Sequence, residues 1–291
     1  MDTKELLKRV RKIEIKTKGL SNQIFSGEYH SAFKGSGMAF SEVREYAIGD
    51  EIRKIDWNVS ARLNSTYVKV FDEERELTVM LLVDLSSSGE FGSHNQEKRH
   101  LITELCAVLA FSAIQNNDKI GAIFFSDQVE KFIPPKKGRS HILRIIRELI
   151  DFKPESKKTN ISKALKYLTN IIKKRSIVFV VSDFIDSNFE DSIKIANRKH
   201  DVVALQIFDK RENELPNIGI VPIQDSETGD TIWTDTSDAK TRTLFKAKRL
   251  KQDDDLKNLF RRSGIDYTKI ATHLPYVKPL MGLFKKRESR R

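Results

Sequence analysis

Apolar residues in this chain fall into short unbroken runs, separated by segments in which they recur every three or four positions. Val79-Met80-Leu81-Leu82-Val83, Ile120-Gly121-Ala122-Ile123-Phe124-Phe125, Ile177-Val178-Phe179-Val180-Val181 and Val202-Val203-Ala204-Leu205 are apolar at successive positions. A strand with one wet face alternates; an unbroken run predicts a strand buried on both faces, as in a parallel sheet. The segments between read as helices. Residues 97–115 are apolar nearly all round, which predicts a well-buried helix. Ile142, Leu143, Ile145, Ile146, Leu149 and Ile150 make one helical face, and Ile161, Ala164, Leu165, Leu168, Ile171 and Ile172 another, with a further helix near 189–198. A short strand over 129–133 is expected to stop at Pro134-Pro135, which lack the N–H a ladder needs. Strands alternating with helices predict an α/β fold with a mostly parallel sheet flanked by helices.

The flanks differ. Residues 1–18 carry Leu6, Leu7, Val10 and Ile13 at helical spacing among lysines and arginines, which predicts a short helix. Residues 19–78 are cut by Gly27, Gly35, Gly37 and Gly49 into short aromatic and apolar pieces, a β-rich pattern, with 66–71 alternating as a strand should. Within it, 44–57 packs Arg44, Asp50, Arg53 and Asp56 around Tyr46, Ile48, Ile52 and Trp57, and reads as a loop held by ion pairs with Gly49 at a turn. Residues 220–225 and 230–234 around Thr228-Gly229 read as a hairpin, 239–262 as a basic helix stopped by Gly264, 265–272 as a last strand and 275–286 as a last helix. The expected organisation is a helix and β-rich segment over 1–76, an α/β domain over 77–285 with a hairpin insertion at 209–238, and a free basic tail at 286–291.

Charge and composition narrow the function. Residues 240–291 hold 16 Lys and Arg against 5 Asp and Glu, so the whole net charge of +11 resides there. Such asymmetry suits an acidic protein, nucleic acid or an anionic membrane. No apolar run reaches the roughly 18–20 residues of a membrane span, and residues 1–18 lack the apolar centre of a secretory signal, so a cytoplasmic protein is expected. Cys106 is the only cysteine, lies within the apolar helix and reads as a buried thiol. Asp253-Asp254-Asp255 point in different directions on a helix and read as a solvated face.

The candidate chemistry lies at the end of the first buried run. Asp84-Leu85-Ser86-Ser87-Ser88 sets one carboxylate and two hydroxyls just beyond a strand, where open α/β folds bind ligands. These are hard oxygen donors, suited to Mg²⁺ or Mn²⁺. Asp-x-Ser-x-Ser at a strand end resembles the metal-ion-dependent adhesion site of von Willebrand factor A domains. That resemblance implies a threonine and a second aspartate from distant loops, for which Thr159, ahead of a helix, and Asp183, at a strand end, are the candidates. It further implies that Ser86 and Ser88 ligate directly, that Thr159 does so directly or through water, and that Asp84 and Asp183 hold coordinated waters. Ser156 is a rival to Thr159, and Lys157 and Lys158 stand where A domains often have glycine.

A wider resemblance covers about residues 20–285. Ser26-Gly27-Glu28-Tyr29, Phe33-Lys34-Gly35, Arg44, Gly49-Asp50, Arg53, Ile55-Asp56-Trp57 and Glu73-Glu74-Arg75 ahead of the Asp-x-Ser-x-Ser strand resemble the bacterial family of domain of unknown function fifty-eight. The resemblance implies a von Willebrand factor A-like fold and a partnership with a MoxR-type AAA+ ATPase. The expected function is an interaction module that binds an acidic residue of a partner through Mg²⁺. The alternatives are nucleic-acid or anionic-membrane binding by the basic C-terminal region beside a vestigial metal site, and a metal-dependent hydrolase. Against an enzyme, no Gly-x-Ser-x-Gly elbow and no Gly-x-x-x-x-Gly-Lys phosphate loop occurs, Asp84 is followed by Leu85-Ser86 where a phosphatase with an aspartyl nucleophile has Asp-x-Asp, and none of the six histidines falls in a triad motif.

Overall fold

The structure is a computed structural model that describes residues 38–73, 77–86, 95–156, 158–186, 188–209, 214–224 and 231–290. The helix expected over 1–18 and the turn at Thr228-Gly229 lie outside them. The chain forms two compact units, Phe33–Leu77 and a larger one from Thr78 onward.

In the smaller unit β1 (Met38–Glu45) pairs antiparallel with β2 (Tyr67–Glu73), with a register shift between Phe40 and Glu42. The connection is ordered by its charges. Arg44 donates from both terminal nitrogens to Asp50, at 2.8 and 2.6 Å, and Asp50 also accepts from the Ala47 N–H at 2.8 Å. Gly49 takes a φ of +108°, which only glycine adopts without strain. Asp56 accepts from the N–H groups of Asn58 and Val59, capping a helix that the sequence pattern did not show, α1 (Trp57–Leu63).

The larger unit is built on a six-stranded sheet. Its strands are β3 (Thr78–Asp84), β4 (Lys119–Phe125), β5 (Val129–Lys136), β6 (Ile177–Ser182), β7 (Asp201–Phe208) and β10 (Asp266–Ala271). They lie in the order β10-β7-β6-β3-β4-β5. All neighbours run parallel except β5, which is antiparallel to β4 at the edge. The remaining elements are α2 (Asn95–Gln115), α3 (Arg139–Asp151), α4 (Ile161–Ile171), α5 (Glu190–Lys199), a hairpin of β8 (Ile220–Gln224) and β9 (Thr231–Asp235), α6 (Ala239–Arg262) and α7 (Val277–Glu288). On one face Met80, Leu82, Ile123, Val178, Val180 and Ala204 bury against Ile161, Leu165 and Leu168 of α4, Ile193 of α5 and Phe260 of α6. The residues between them, such as Val79, Leu81, Phe124 and Phe179, are also buried and point to the opposite face. Burial of both faces accounts for the unbroken apolar runs.

The chain enters at the centre with β3 and moves outward through β4 to β5. It then returns to lay β6 on the other side of β3 and moves the other way to β7 and β10. The order therefore reverses between β3 and β6, and open α/β sheets bind ligands at the carboxyl ends of the strands at such a switch point.

Three expectations need correction. Strand β5 does not stop at Pro134-Pro135 but runs through both to Lys136. It is an edge strand with one neighbour, and its register shifts between Ile120 and Ala122, so the missing N–H groups leave no broken ladder. The basic end is not a free tail. Helix α7 continues to Glu288, Leu280, Leu283 and Phe284 are buried, and Arg287 is buried with ion pairs to Asp201 and to Asp266 at 2.6 Å. Arg290 adds a second contact to Asp266 at 2.9 Å. Nor are the three acids of α6 all simply solvated, since Asp253 ion-pairs with Lys269 and accepts from Gln206.

Candidate metal centre

Asp84, Ser86 and Asp183 stand at the carboxyl ends of β3 and β6. The backbone of Leu85 still donates to Phe125 O at 2.9 Å, so the β3–β4 ladder runs one residue past Asp84 and fixes its carboxylate at the carboxyl end of a central strand. The chain then turns on that carboxylate. Asp84 Oδ1 accepts from the Ser86 N–H at 3.0 Å and from the Ser86 hydroxyl at 2.6 Å. Asp84 Oδ2 accepts from the Ser182 hydroxyl at 2.6 Å, which ties the ends of β3 and β6 together.

Thr159 arrives from the other side. The N–H of Asn160 donates to Ser126 O at 2.9 Å, anchoring the loop to the end of β4. Asn160 then caps α4 by accepting from Lys163 N at 2.9 Å, and Asp186 accepts from Ile161 N at 2.8 Å. With the loop so held, the Thr159 hydroxyl donates to Ser86 Oγ at 2.6 Å. The rival Ser156 accepts instead from Lys158 N, within its own loop, at 3.3 Å.

Asp183 follows β6 directly. Its Oδ1 accepts from Ile185 N at 3.1 Å, and the N–H of Phe184 donates to Ser182 Oγ at 3.0 Å. Phe184 takes a φ of +58°, an uncommon conformation for a bulky residue. Burial of its ring against Phe189 and Phe260, at 5.9 and 5.2 Å between centroids, holds it there. Asp183 Oδ2 is paired with Lys98 Nζ of α2 at 3.0 Å, and Gln206 Nε2 donates to the Asp183 carbonyl at 3.3 Å. The structure thus brings Asp84, Ser86, Thr159 and Asp183 to one site; Ser88 lies outside the described residues.

Asp84 is 7 % exposed and Asp183 5 %, so two carboxylates share one poorly hydrated place. Burial, and secondarily the charge of Asp183, raises the Asp84 pKa above the ordinary carboxylate value, against the pull of the Ser182 and Ser86 hydrogen bonds. Carboxylate and hydroxyl oxygens are the only donors of this group. A hydroxyl that donates one hydrogen bond keeps lone pairs for a cation. The residues present therefore fit a hard divalent ion, which would offset the repulsion between the two acids. Among the described residues no group of three or more His, Cys, Asp or Glu side chains could hold a metal, so a centre here depends on its serine and threonine hydroxyls.

Sequence reasoning missed Ser182, Lys98 and Gln206. The signal for Ser182 was a hydroxyl closing an apolar run; for Lys98 it was a charge near the start of a helix with hardly any polar face. Cys106 is buried, and burial pushes its thiol up to about 12, so it supplies no nucleophile. No described helix is long and apolar enough to cross a membrane.

The strand order, the antiparallel edge strand and the carboxylate–hydroxyl cluster at the switch point define an α/β protein with a mostly parallel six-stranded sheet. The chain belongs to the family described as "Protein of unknown function DUF58", whose model matches residues 42–255. Similar proteins include the uncharacterized protein Rv1480 of Mycobacterium tuberculosis, 28% identical over 232 residues, which are 79% of this chain and 73% of that one. The uncharacterized protein YeaD of Bacillus subtilis is 26% identical over 131 residues, 45% of this chain and 29% of that one. Among solved structures, an aerotolerance-related membrane protein from Bacteroides fragilis is 15% identical with a TM-score of 0.46, covering 74% of this chain and 100% of that one. Proximal thread matrix protein 1 from the mussel byssus, solved with a zinc-occupied MIDAS motif, is 20% identical with a TM-score of 0.37, covering 45% of this chain and 38% of that one.

Proposed function

We propose that this protein is a non-enzymatic interaction module that binds a carboxylate of a partner protein through a divalent cation, Mg²⁺ or Mn²⁺, held by Asp84, Ser86, Ser88, Thr159 and Asp183. One observation supports this reading above the others. Two buried acids and a chain of two hydroxyls, from three separate loops, meet at the switch point of the sheet. Bound there, the cation supplies a Lewis-acidic position that a partner's Asp or Glu can occupy. The protein's residues do the rest. Asp84 orients Ser86, Ser182 fixes Asp84, and the capped start of α4 holds Thr159 against Ser86. Because the hydroxyls are neutral, they leave positive charge on the cation for the incoming carboxylate.

The proposed partner is a MoxR-type AAA+ ATPase, which the sequence resemblance implies, with the pair acting in the cytoplasm in the assembly or maturation of other proteins. The test pairs two measurements on folded wild type, Asp84→Ala and Ser86→Ala. Mn²⁺ binding, read by electron paramagnetic resonance, is expected for wild type and lost in both variants. Purified ATPase from the same organism is expected to be retained on wild type in Mg²⁺ and released by EDTA. Equal retention on wild type and Asp84→Ala, with and without EDTA, would remove the metal from the contact and favour the basic helix α6. Retention of nucleic acid alone, reversed by salt, would favour the nucleic-acid reading.

A further inference from the structure

We propose that Lys98 is a tethered counter-cation of this centre: its ammonium group holds Asp183 when no metal is bound and lowers the affinity for a divalent ion, so that the ion is exchangeable. The inference rests on the metal-dependent reading above. It starts from where Lys98 stands. The residue lies near the start of α2, a helix whose following residues Leu101, Ile102, Leu105, Cys106, Val108 and Leu109 are all buried. Its own side chain is only 10% exposed, and that of its partner Asp183 only 3%. A lysine with so little water is costly to bury unless an opposite charge meets it. Here the partner is one of the two acids at the switch point, and the Nζ–Oδ2 distance is 3.0 Å.

The consequence is electrostatic. Two ionised carboxylates alone would present two negative charges to an arriving cation; with the ammonium beside them the sum is one. Attraction for a divalent ion scales with that charge, so Lys98 removes about half of it. Lys98 also occupies Asp183 Oδ2, while Oδ1 accepts from the Ile185 N–H. Both carboxylate oxygens are thus engaged, and a metal or its waters must share them. A four-carbon stem carrying a compact charge can draw back when this happens, where a planar guanidinium would be less easily moved. Binding of metal and movement of Lys98 are therefore linked.

The experiment measures metal affinity directly. Mn²⁺ is titrated into wild type, Lys98→Met and Lys98→Gln, with free Mn²⁺ read by electron paramagnetic resonance, and each protein is melted with and without the ion. Both variants are expected to bind Mn²⁺ at least about tenfold more tightly than wild type. Without metal they should melt below wild type, and saturating Mn²⁺ should close that gap. In wild type labelled with ¹⁵N-lysine, added Mg²⁺ should shift the Lys98 ammonium resonance, which keeps the test open if neither variant folds. Binding by all three proteins at equal affinity, weaker binding by the variants, or an ammonium signal unmoved by bound Mg²⁺ would overturn the role of Lys98 and leave the metal reading standing. No Mn²⁺ binding by any of the three would overturn both.

Discussion

At the end of α5, His200 places its ring wholly inside the core, where neither ring nitrogen has a hydrogen-bond partner. Burial, then the charges of Lys199 and Arg175, lowers its pKa from 6.5 to about 4. Between those values the unfolded chain binds a proton that the folded protein refuses, so stability rises with pH across that window. The contribution is complete above pH 6.5 and is lost as pH falls toward 4. His200→Leu is expected to bring the urea midpoints at about pH 5 and about pH 7.5 closer together than in wild type, in parallel unfolding titrations. Asp84 works in the opposite sense, because its raised pKa makes the folded state hold its proton more firmly than the unfolded chain does. At this scale the sequence was partly legible. Asp84 and Ser86 belong to a local motif, and a tight turn of the backbone joins them. Lys98 and Ser182 were not legible, because their partners lie 85 and 98 residues away and only the assembled sheet brings them together.

Among the elements, the β4–β5 edge carries the tightest constraint. A Cβ on Gly121 would stand 2.8 Å from Ile133 O and 2.9 Å from both Pro135 N and Met80 Sδ. Two of those atoms are backbone of β5 and cannot turn aside. Gly121→Ala is expected to cost about 1–3 kcal/mol of stability, read from the shift in a urea unfolding curve. The same close approach accompanies the register shift that carries β5 through Pro134-Pro135. The four buried parallel strands were legible because an unbroken apolar run too short for a buried helix must be covered on both faces. The reach of β5 was not, since proline ends a strand in the middle of a sheet but is tolerated at its edge. Helix α1 was hidden for another reason: its seven residues show no apolar stripe, and it begins at an aspartate cap.

For the whole molecule, the C-terminus teaches most. Its charge suggested a solvated tail, yet α7 is the element that closes the sheet beside β10. Leu280, Leu283 and Phe284 are buried, and Arg287 bridges Asp201 at the start of β7 to Asp266 at the start of β10. Each buried apolar side chain is worth roughly 1.5–3 kcal/mol. A chain ending at 276 is therefore expected to lose its cooperative thermal transition, whereas one ending at 288 should keep it, as differential scanning calorimetry would show. Burial of this kind was not legible from composition, because a run rich in lysine and arginine reads the same whether or not one of its members finds two aspartates. The architecture as a whole was legible, since it follows from the order of strands and helices.

The hydrogen bond from Ser182 to Asp84 spans 98 residues of chain. Helices α2, α3 and α4, the β4–β5 hairpin and the loop bearing Thr159 all lie within that span, and contacts of such long sequence separation are slow to close. An ion-binding signal from this site would thus act as a certificate of completeness. A nascent or nicked copy would fail to present it, and a partner that waits for it would engage finished molecules alone.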